Sequence, residues 1–257
     1  MSAAGESDGR AVLVTGASRG IGRAVARAFA AAGDRVAVHY VAAAEEADAT
    51  RASLPGSGHL VVQADLADPE AVRGMVNGAA EGLGGLDVLV NNAGLYSDHL
   101  VAEVSYEQWQ QAWRGTIDVN LIGAANAAYC AAHHMIAAGR GGRIVNVSSR
   151  GAFRGEPRSP AYGASKAGLN ALGQSLAQAL APHHISVATV APGFVETDMA
   201  AAFLEGPNGD AIRAQSPWGR VARPEEVAAA VFYLASPEAE FVSGAILDLN
   251  GASYLRT

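Results

Sequence analysis

Seven short apolar runs rich in β-branched residues recur along the chain, at residues 11–15, 35–40, 59–64, 87–91, 143–147, 185–190 and 245–249. They are apolar almost throughout instead of alternating with polar residues, as parallel strands covered on both faces require. Alanine-rich stretches with helical spacing lie between them, at about residues 21–32, 44–54, 69–83, 105–138, 161–181 and 224–235. Pro69, Pro160 and Pro224 stand near helix starts, where a missing N–H does least harm, and Gly33 and Gly139 follow helix ends. The pattern predicts an α/β three-layer sandwich around a seven-stranded parallel sheet. A chain of 257 residues, half of them apolar, is enough for one such core, so residues 11–257 are read as a single domain.

Composition removes several alternatives. Residues 1–10 are polar and small, reading as a flexible tail without a signal-peptide core, and no apolar run approaches the length of about 18 residues that a spanning helix needs. A cytoplasmic protein with no membrane partner is expected. The single cysteine, Cys130, sits among alanines and reads as a small core residue. A net charge of −7 disfavours nucleic acid. His133–His134 and His183–His184 are adjacent pairs whose side chains diverge, so no metal site is expected.

The first strand runs into Thr15-Gly16-Ala17-Ser18-Arg19-Gly20-Ile21-Gly22 and then a helix. Gly16 permits the sharp turn, Gly20 lets the backbone approach a ligand, and Gly22 allows close helix–strand packing. The helix N-terminus offers free N–H groups to a pyrophosphate. A tight turn without ligand would look similar. Further on, Tyr162 and Lys166 are four apart on a predicted helix and share a face. A free tyrosine has a pKa of about 10, so at neutral pH it needs a nearby cation to stabilise its phenolate, and Lys166 is positioned to supply one. Ser148 and Ser149 end the preceding strand. Asn120 lies inside the predicted 105–138 helix, where asparagine is a poor helix former. The stretch 194–217 breaks the rhythm with Gly206, Pro207, Gly209 and Pro217, and is read as a substrate loop.

The GxxxGxG spacing resembles the short-chain dehydrogenase/reductase family, whose fold is of the Rossmann type. Asp65-Leu66, Asn91-Asn92-Ala93-Gly94, Tyr162-Gly163-Ala164-Ser165-Lys166 and Pro192-Gly193-Phe194-Val195-Glu196-Thr197 match it in order, and Gly219-Arg220 with Pro224-Glu225-Glu226 resemble its 3-oxoacyl-carrier-protein reductase branch. The resemblance implies a catalytic set of Asn120, Ser149, Tyr162 and Lys166, Ser149 standing thirteen positions before the tyrosine. It implies that Tyr162 moves the proton, that Ser149 binds the substrate oxygen, that Lys166 also holds the nicotinamide ribose, and that Asn120 binds a water through its main chain at a helix kink. For the dinucleotide it implies Gly16, Ser18, Arg19, Gly20, Ile21 and Gly22 at the phosphates, Tyr40 at the adenosine ribose and Asp65 and Leu66 at the adenine. Asn92, Ala93 and Gly94 would line the ribose side, and Pro192, Gly193, Val195 and Thr197 the nicotinamide end. Asn91 fits a strand-closing turn as well as a ligand contact.

The expected reaction is hydride transfer between a nicotinamide and a small carbonyl or secondary-alcohol substrate. The alternative is a non-catalytic dinucleotide-binding protein of the same fold. NADP(H) is expected to be preferred, with NAD(H) still usable: Tyr40 stands where an acidic residue would repel a 2′-phosphate, and Arg19 can reach that phosphate. Pocket walls are expected from residues 95–101, 151–159 and 194–217, where Arg150, Arg154 and Arg158 either attract an anion or are solvated. The resemblance also implies a homotetramer or homodimer.

Overall fold

β-Branched side chains suit a pleated surface packed on both sides, and the apolar runs pair as one parallel sheet. Its strands are β1 (Ala11–Val14), β2 (Arg35–Tyr40), β3 (Leu60–Gln63), β4 (Val88–Asn91), β5 (Gly142–Val147), β6 (Ile185–Pro192) and β7 (Ile246–Leu249). They lie in the order β3-β2-β1-β4-β5-β6-β7, every neighbouring pair parallel. The computed structural model describes residues 9–256. Of the expected flexible segment 1–10, residues 1–8 lie outside the described residues. Arg10 does not fit that expectation: its guanidinium pairs with Asp34 at 2.7 Å and donates to the Ala235 carbonyl.

Alternate strand residues enter opposite cores. Val12, Val14, Val36, Val38 and Val90 face one layer, with Val25 and Phe29 of α1 (Gly20–Ala31) and Val227, Val231 and Leu234 of α10 (Pro224–Leu234). Ala11, Leu13, Ala37, Leu89 and Ile144 face the other, against α3 (Pro69–Leu83), α5 (Ala124–Ala138) and α7 (Pro160–Leu180). α2 (Ala44–Ala52) follows β2, and a four-residue helix, α6 (Gly151–Arg154), follows β5. Pro69, Pro160 and Pro224 all occupy first-turn positions. Among the described residues, no helix is long and apolar enough to cross a membrane.

Two expectations change. The continuous helix over 105–138 is instead α4 (Tyr106–Ile117), capped by Ser105, then a π-helical turn over Asp118–Gly123, then α5. The wider turn has a local reason: Asn120 reaches inward to bond the segment after β4, and a Cβ on Gly123 would stand 2.4 Å from the Leu66 carbonyl oxygen. The 194–217 stretch is not featureless, since α8 (Asp198–Leu204) and α9 (Gly209–Arg213) lie within it.

Candidate active site

The chain winds outward from β1 to β3, then returns to place β4 on the other side of β1. Ligands of open α/β sheets settle in the crevice that such a reversal leaves at the carboxyl ends of the strands. The two turns flanking this crevice are tied together. Thr15 Oγ accepts the N–H groups of Asn92 at 2.9 Å and Ala93 at 3.0 Å, while Asn92 Nδ2 donates to the carbonyls of Thr15 and Gly16 at 2.9 and 3.1 Å. Gly16 has φ 62°, and a Cβ there would stand 2.9 Å from Ala93 Cα; one on Gly22 would stand 2.2 Å from the Gly16 carbonyl oxygen. These glycines are thus demanded by close backbone approach. α1 begins without a side-chain cap and without an acid in its first turn, which leaves its N–H groups for an anion. The residues present therefore fit a pyrophosphate.

One residue of this turn escaped the sequence reading as a functional position. His39, buried in β2, accepts the Gly16 N–H on Nδ1 at 2.9 Å, and its Nε2 lies 3.1 Å from the Ala64 carbonyl oxygen. These partners assign the proton to Nε2, and burial lowers the ring's pKa, favouring the neutral form. The available signal was a histidine in the middle of an otherwise apolar strand.

Around the adenosine side, Tyr40 ends β2 partly buried, and Leu66 is buried beneath Gly123. Asp65 is exposed, and its carboxylate accepts the Ala67 N–H at 2.9 Å, leaving acceptor capacity for a ligand. Arg19 is exposed and faces Asp198 at 3.8 Å. Pro192 ends β6, Gly193 bonds through its N–H to Leu249, Val195 bridges to Ala222, and Thr197 Cγ2 lies 3.3 Å from where a Gly20 Cβ would be. Ser18 is buried, its carbonyl accepting from Arg23 and Thr50. Ile21 packs against the core. Asn91 is structural, its amide donating to the Ala124 carbonyl and to Asn146.

On the other side of the crevice, β5 delivers Ser148 and Ser149 beside α7. Ser148 Oγ donates to the Lys166 carbonyl at 3.1 Å, a packing role, while Ser149 Oγ accepts the Gly151 N–H at 3.0 Å and bonds the Tyr162 hydroxyl. Lys166 is buried, its Nζ 2.9 Å from the Val147 carbonyl oxygen and 5.7 Å from the Tyr162 ring centre. A Cβ on Gly94 would stand 3.4 Å from the same Nζ. Burial pushes the Lys166 ammonium down to about 8. It also pushes Tyr162 up to about 12, against the Ser149 hydrogen bond, with Glu156 adding to the rise. The sequence argument expected Lys166 to lower the tyrosine; here desolvation dominates and the phenol is held neutral. Asn120 uses its side chain fully, accepting the Leu95 N–H at 2.7 Å and donating to the Leu95 carbonyl and Ser165 Oγ at 2.9 and 3.1 Å.

Of the expected wall segments, 95–101 reaches Tyr162 directly and 194–217 reaches it through Tyr96. Tyr96 packs edge-on against Tyr162 at 5.2 Å and against Phe203 of α8 at 5.7 Å, and Phe203 meets Phe194 at 6.2 Å. Arg150 is buried, bonded to Ser253 Oγ at 2.5 Å and stacked over Phe194, and Arg158 pairs with Asp98. Neither is a free anion receptor. A cavity of about 350 Å³ opens beside the 194–217 stretch, lined by Arg150, Phe194, Ser216, Trp218 and Asn250 among others.

A desolvated tyrosine bonded to a serine, a buried ammonium beside its ring and a phosphate-ready turn across the same crevice can together exchange a proton and a hydride with a carbonyl. The family model described as "Enoyl-(Acyl carrier protein) reductase" matches residues 16–251. A 3-oxoacyl-[acyl-carrier-protein] reductase of Staphylococcus aureus is 37% identical over 96% of this chain and 98% of its own length. The cis-4-hydroxycyclohexanecarboxylate dehydrogenase of Sinomonas cyclohexanicum is 42% identical over 94% and 95%. A short-chain dehydrogenase of Burkholderia cenocepacia, solved in complex with NADP, superposes with TM-score 0.86 at 37% identity, covering 96% of this chain and 98% of that one. Relatives named as reductases and dehydrogenases give the non-catalytic alternative no support. With motifs, strand order and relatives in agreement over nearly its whole length, the chain belongs to the short-chain dehydrogenase/reductase family.

Proposed function

We propose that the chain is an NADP(H)-preferring ketoreductase in which Ser149, Tyr162, Lys166 and Asn120 form the catalytic set. The observation that carries this reading is the Ser149 side chain against the Tyr162 hydroxyl, with the buried Lys166 ammonium 5.7 Å from the ring centre. Bound NADP(H) supplies the hydride exchanged with the carbonyl carbon. Tyr162 gives its phenolic proton to the carbonyl oxygen as negative charge develops there, and Ser149 orients that oxygen. Lys166 favours the phenolate as the proton leaves. Asn120 holds the π turn against the segment after β4, and the main chain of that turn is assigned the water that restores the proton.

Gly16, Ser18, Arg19, Gly20, Ile21 and Gly22 are assigned to the phosphates, Tyr40 to the adenosine ribose, Asp65 and Leu66 to the adenine. Asn92, Ala93, Gly94 and Lys166 are assigned to the ribose side, with Pro192, Gly193, Val195 and Thr197 at the nicotinamide. The NADP complex of the Burkholderia protein supports the preference, as do Tyr40 in place of an acid and the reach of Arg19. The dehydrogenase relative, named for a hydroxy acid, supports a CH–OH or C=O substrate. We place the enzyme in the cytoplasm, as a homotetramer or homodimer packed through α4, α5 and α7.

The test is NADPH oxidation with a panel of ketones, alongside NADH. Tyr162→Phe should lower kcat by about 10²- to 10⁴-fold while cofactor Kd stays near wild type. A wild-type-like kcat in that variant would sink the mechanism.

A further inference from the structure

Glu156 stands in the wall of this site with no part in the chemistry above. It belongs to the segment between α6 and α7, and two glycines make room for it. A Cβ on Gly151, two positions after Ser149, would stand 2.5 Å from Glu156 Oε1; one on Gly163, next to Tyr162, would stand 3.7 Å from Glu156 Cβ. The side chain is therefore wedged between the serine-bearing turn and the tyrosine-bearing helix. It is partly buried, yet its carboxylate makes no hydrogen bond or ion pair with the described residues.

The charged and titratable groups around it explain why it stays unpaired. Arg150 and Arg154 flank it on its own segment. Arg150 is committed to Ser253 and Phe194, and the Arg154 guanidinium faces Gln215 at 3.4 Å. Tyr162 on α7 and Tyr96 after β4 both feel the Glu156 charge, which raises the pKa of each hydroxyl. The carboxylate thus lies within electrostatic reach of the Tyr162 hydroxyl and of Tyr96, whose ring packs against that of Tyr162. A partly buried carboxylate to which no described residue donates keeps its acceptor capacity for a ligand that brings a donor. Beside Tyr162, the Tyr96 ring and the Phe203 ring packed on it offer an apolar surface for the substrate's body.

We propose that Glu156 determines specificity by accepting a hydrogen bond from a hydroxyl or ammonium group on the ketone substrate, and that it disfavours a carboxylate at that point. The inference rests on the reading of Ser149, Tyr162 and Lys166 as the catalytic centre. It assigns the enzyme to compact ketones with an apolar body and one hydrogen-bond donor.

The experiment measures kcat/KM with NADPH for cyclohexanone, its hydroxy- and amino-substituted isomers and its carboxylate counterpart, in wild type, E156Q and E156L. Wild type should prefer at least one donor-bearing isomer to cyclohexanone. E156L should reduce that preference roughly tenfold or more, the usual consequence of losing a hydrogen bond to a charged group. If the donor is an ammonium, E156Q should reduce it as well; if a hydroxyl, the amide oxygen should retain part of it. Both variants should raise the carboxylate's standing relative to cyclohexanone. An active wild type whose ratios are unchanged in E156L and E156Q overturns the role of Glu156 alone. A wild type that reduces no ketone in the panel overturns the catalytic reading and this proposal with it. E156Q is nearly isosteric, and matching melting temperatures guard against a folding defect.

Discussion

At the scale of residues, the site separates two titrations that a solvated Tyr–Lys pair would have close together. Burial holds Tyr162 near 12 and Lys166 near 8. Reduction as proposed needs the phenol protonated and the ammonium charged. The phenol stays protonated at any working pH, so the ammonium sets the limit. Reductive kcat/KM should be level below about 8 and fall as pH rises through that value, by about tenfold per unit at most. In Lys166→Arg, whose guanidinium stays charged, the falling limb should move to higher pH. A pH–rate profile of both proteins checks this, and a shared limb would remove Lys166 as the titrating group.

His39 gives a second prediction at this scale, because its ring fixes the Gly16 N–H. His39→Leu removes that acceptor and should weaken NADPH binding about tenfold, whereas His39→Asn, which retains a side-chain carbonyl, should recover much of it. Fluorescence titration of the cofactor reads both. Equal Kd values in the two variants would leave His39 a packing residue. The glycines, serine, tyrosine and lysine were legible in the sequence because their spacing is itself the signal. His39 and Glu156 were not, because their importance lies in what the fold brings beside them: a strand neighbour for one, two side-chain-free glycines for the other.

At the scale of elements, strands and most helices were legible because apolar period and end residues agree, as with Pro69 at the start of α3 and Gly139 at the end of α5. The long helix over 105–138 was legible only in part. Its spacing continues through residues 118–123, and nothing local announces a π turn, which is imposed by Leu66 from below and by the Asn120 bonds to Leu95. Asn120→Ala leaves the partly buried Leu95 N–H without its acceptor and should cost about 1 kcal/mol of stability. Urea denaturation checks the cost, and ketone turnover should fall with it as Ser165 and the turn lose register. A variant as stable as wild type would show that the turn holds without its side-chain bonds.

At the scale of the whole molecule, the seven-stranded sheet is the frame over which the 194–217 stretch is expected to close. That stretch is tied to the rest by the Val195–Ala222 bridge, by Arg150 over Phe194, by Tyr96 against Phe203, by Arg154 facing Gln215, by the exposed Arg19–Asp198 pair and by Ser216 on the Gly251 carbonyl. Beside it lies the cavity lined by Trp218, which gives it room. Hydrogen exchange should slow across α8 and α9 on NADPH binding while β1 and β4 stay protected in both states. Identical exchange with and without cofactor would count against a closing loop.

Arg10 carries a different consequence. Its guanidinium is held by Asp34 close by in sequence and by the Ala235 carbonyl 225 positions later, and it lies over the rings of Phe29 and Phe232, at 5.3 and 5.6 Å. One cation thus staples the entrance of β1 to the end of α10. During synthesis the N-terminal part of the chain is free to collapse first, but half of this staple has not yet been made. A ribosome-bound chain therefore carries β1 and α1 with an open flank, and the cation there stays solvated until residues 232–235 emerge. The first-made strand is sealed by almost the last-made helix, so a nascent chain stalled before residue 235 should be the form most exposed to proteases and chaperones.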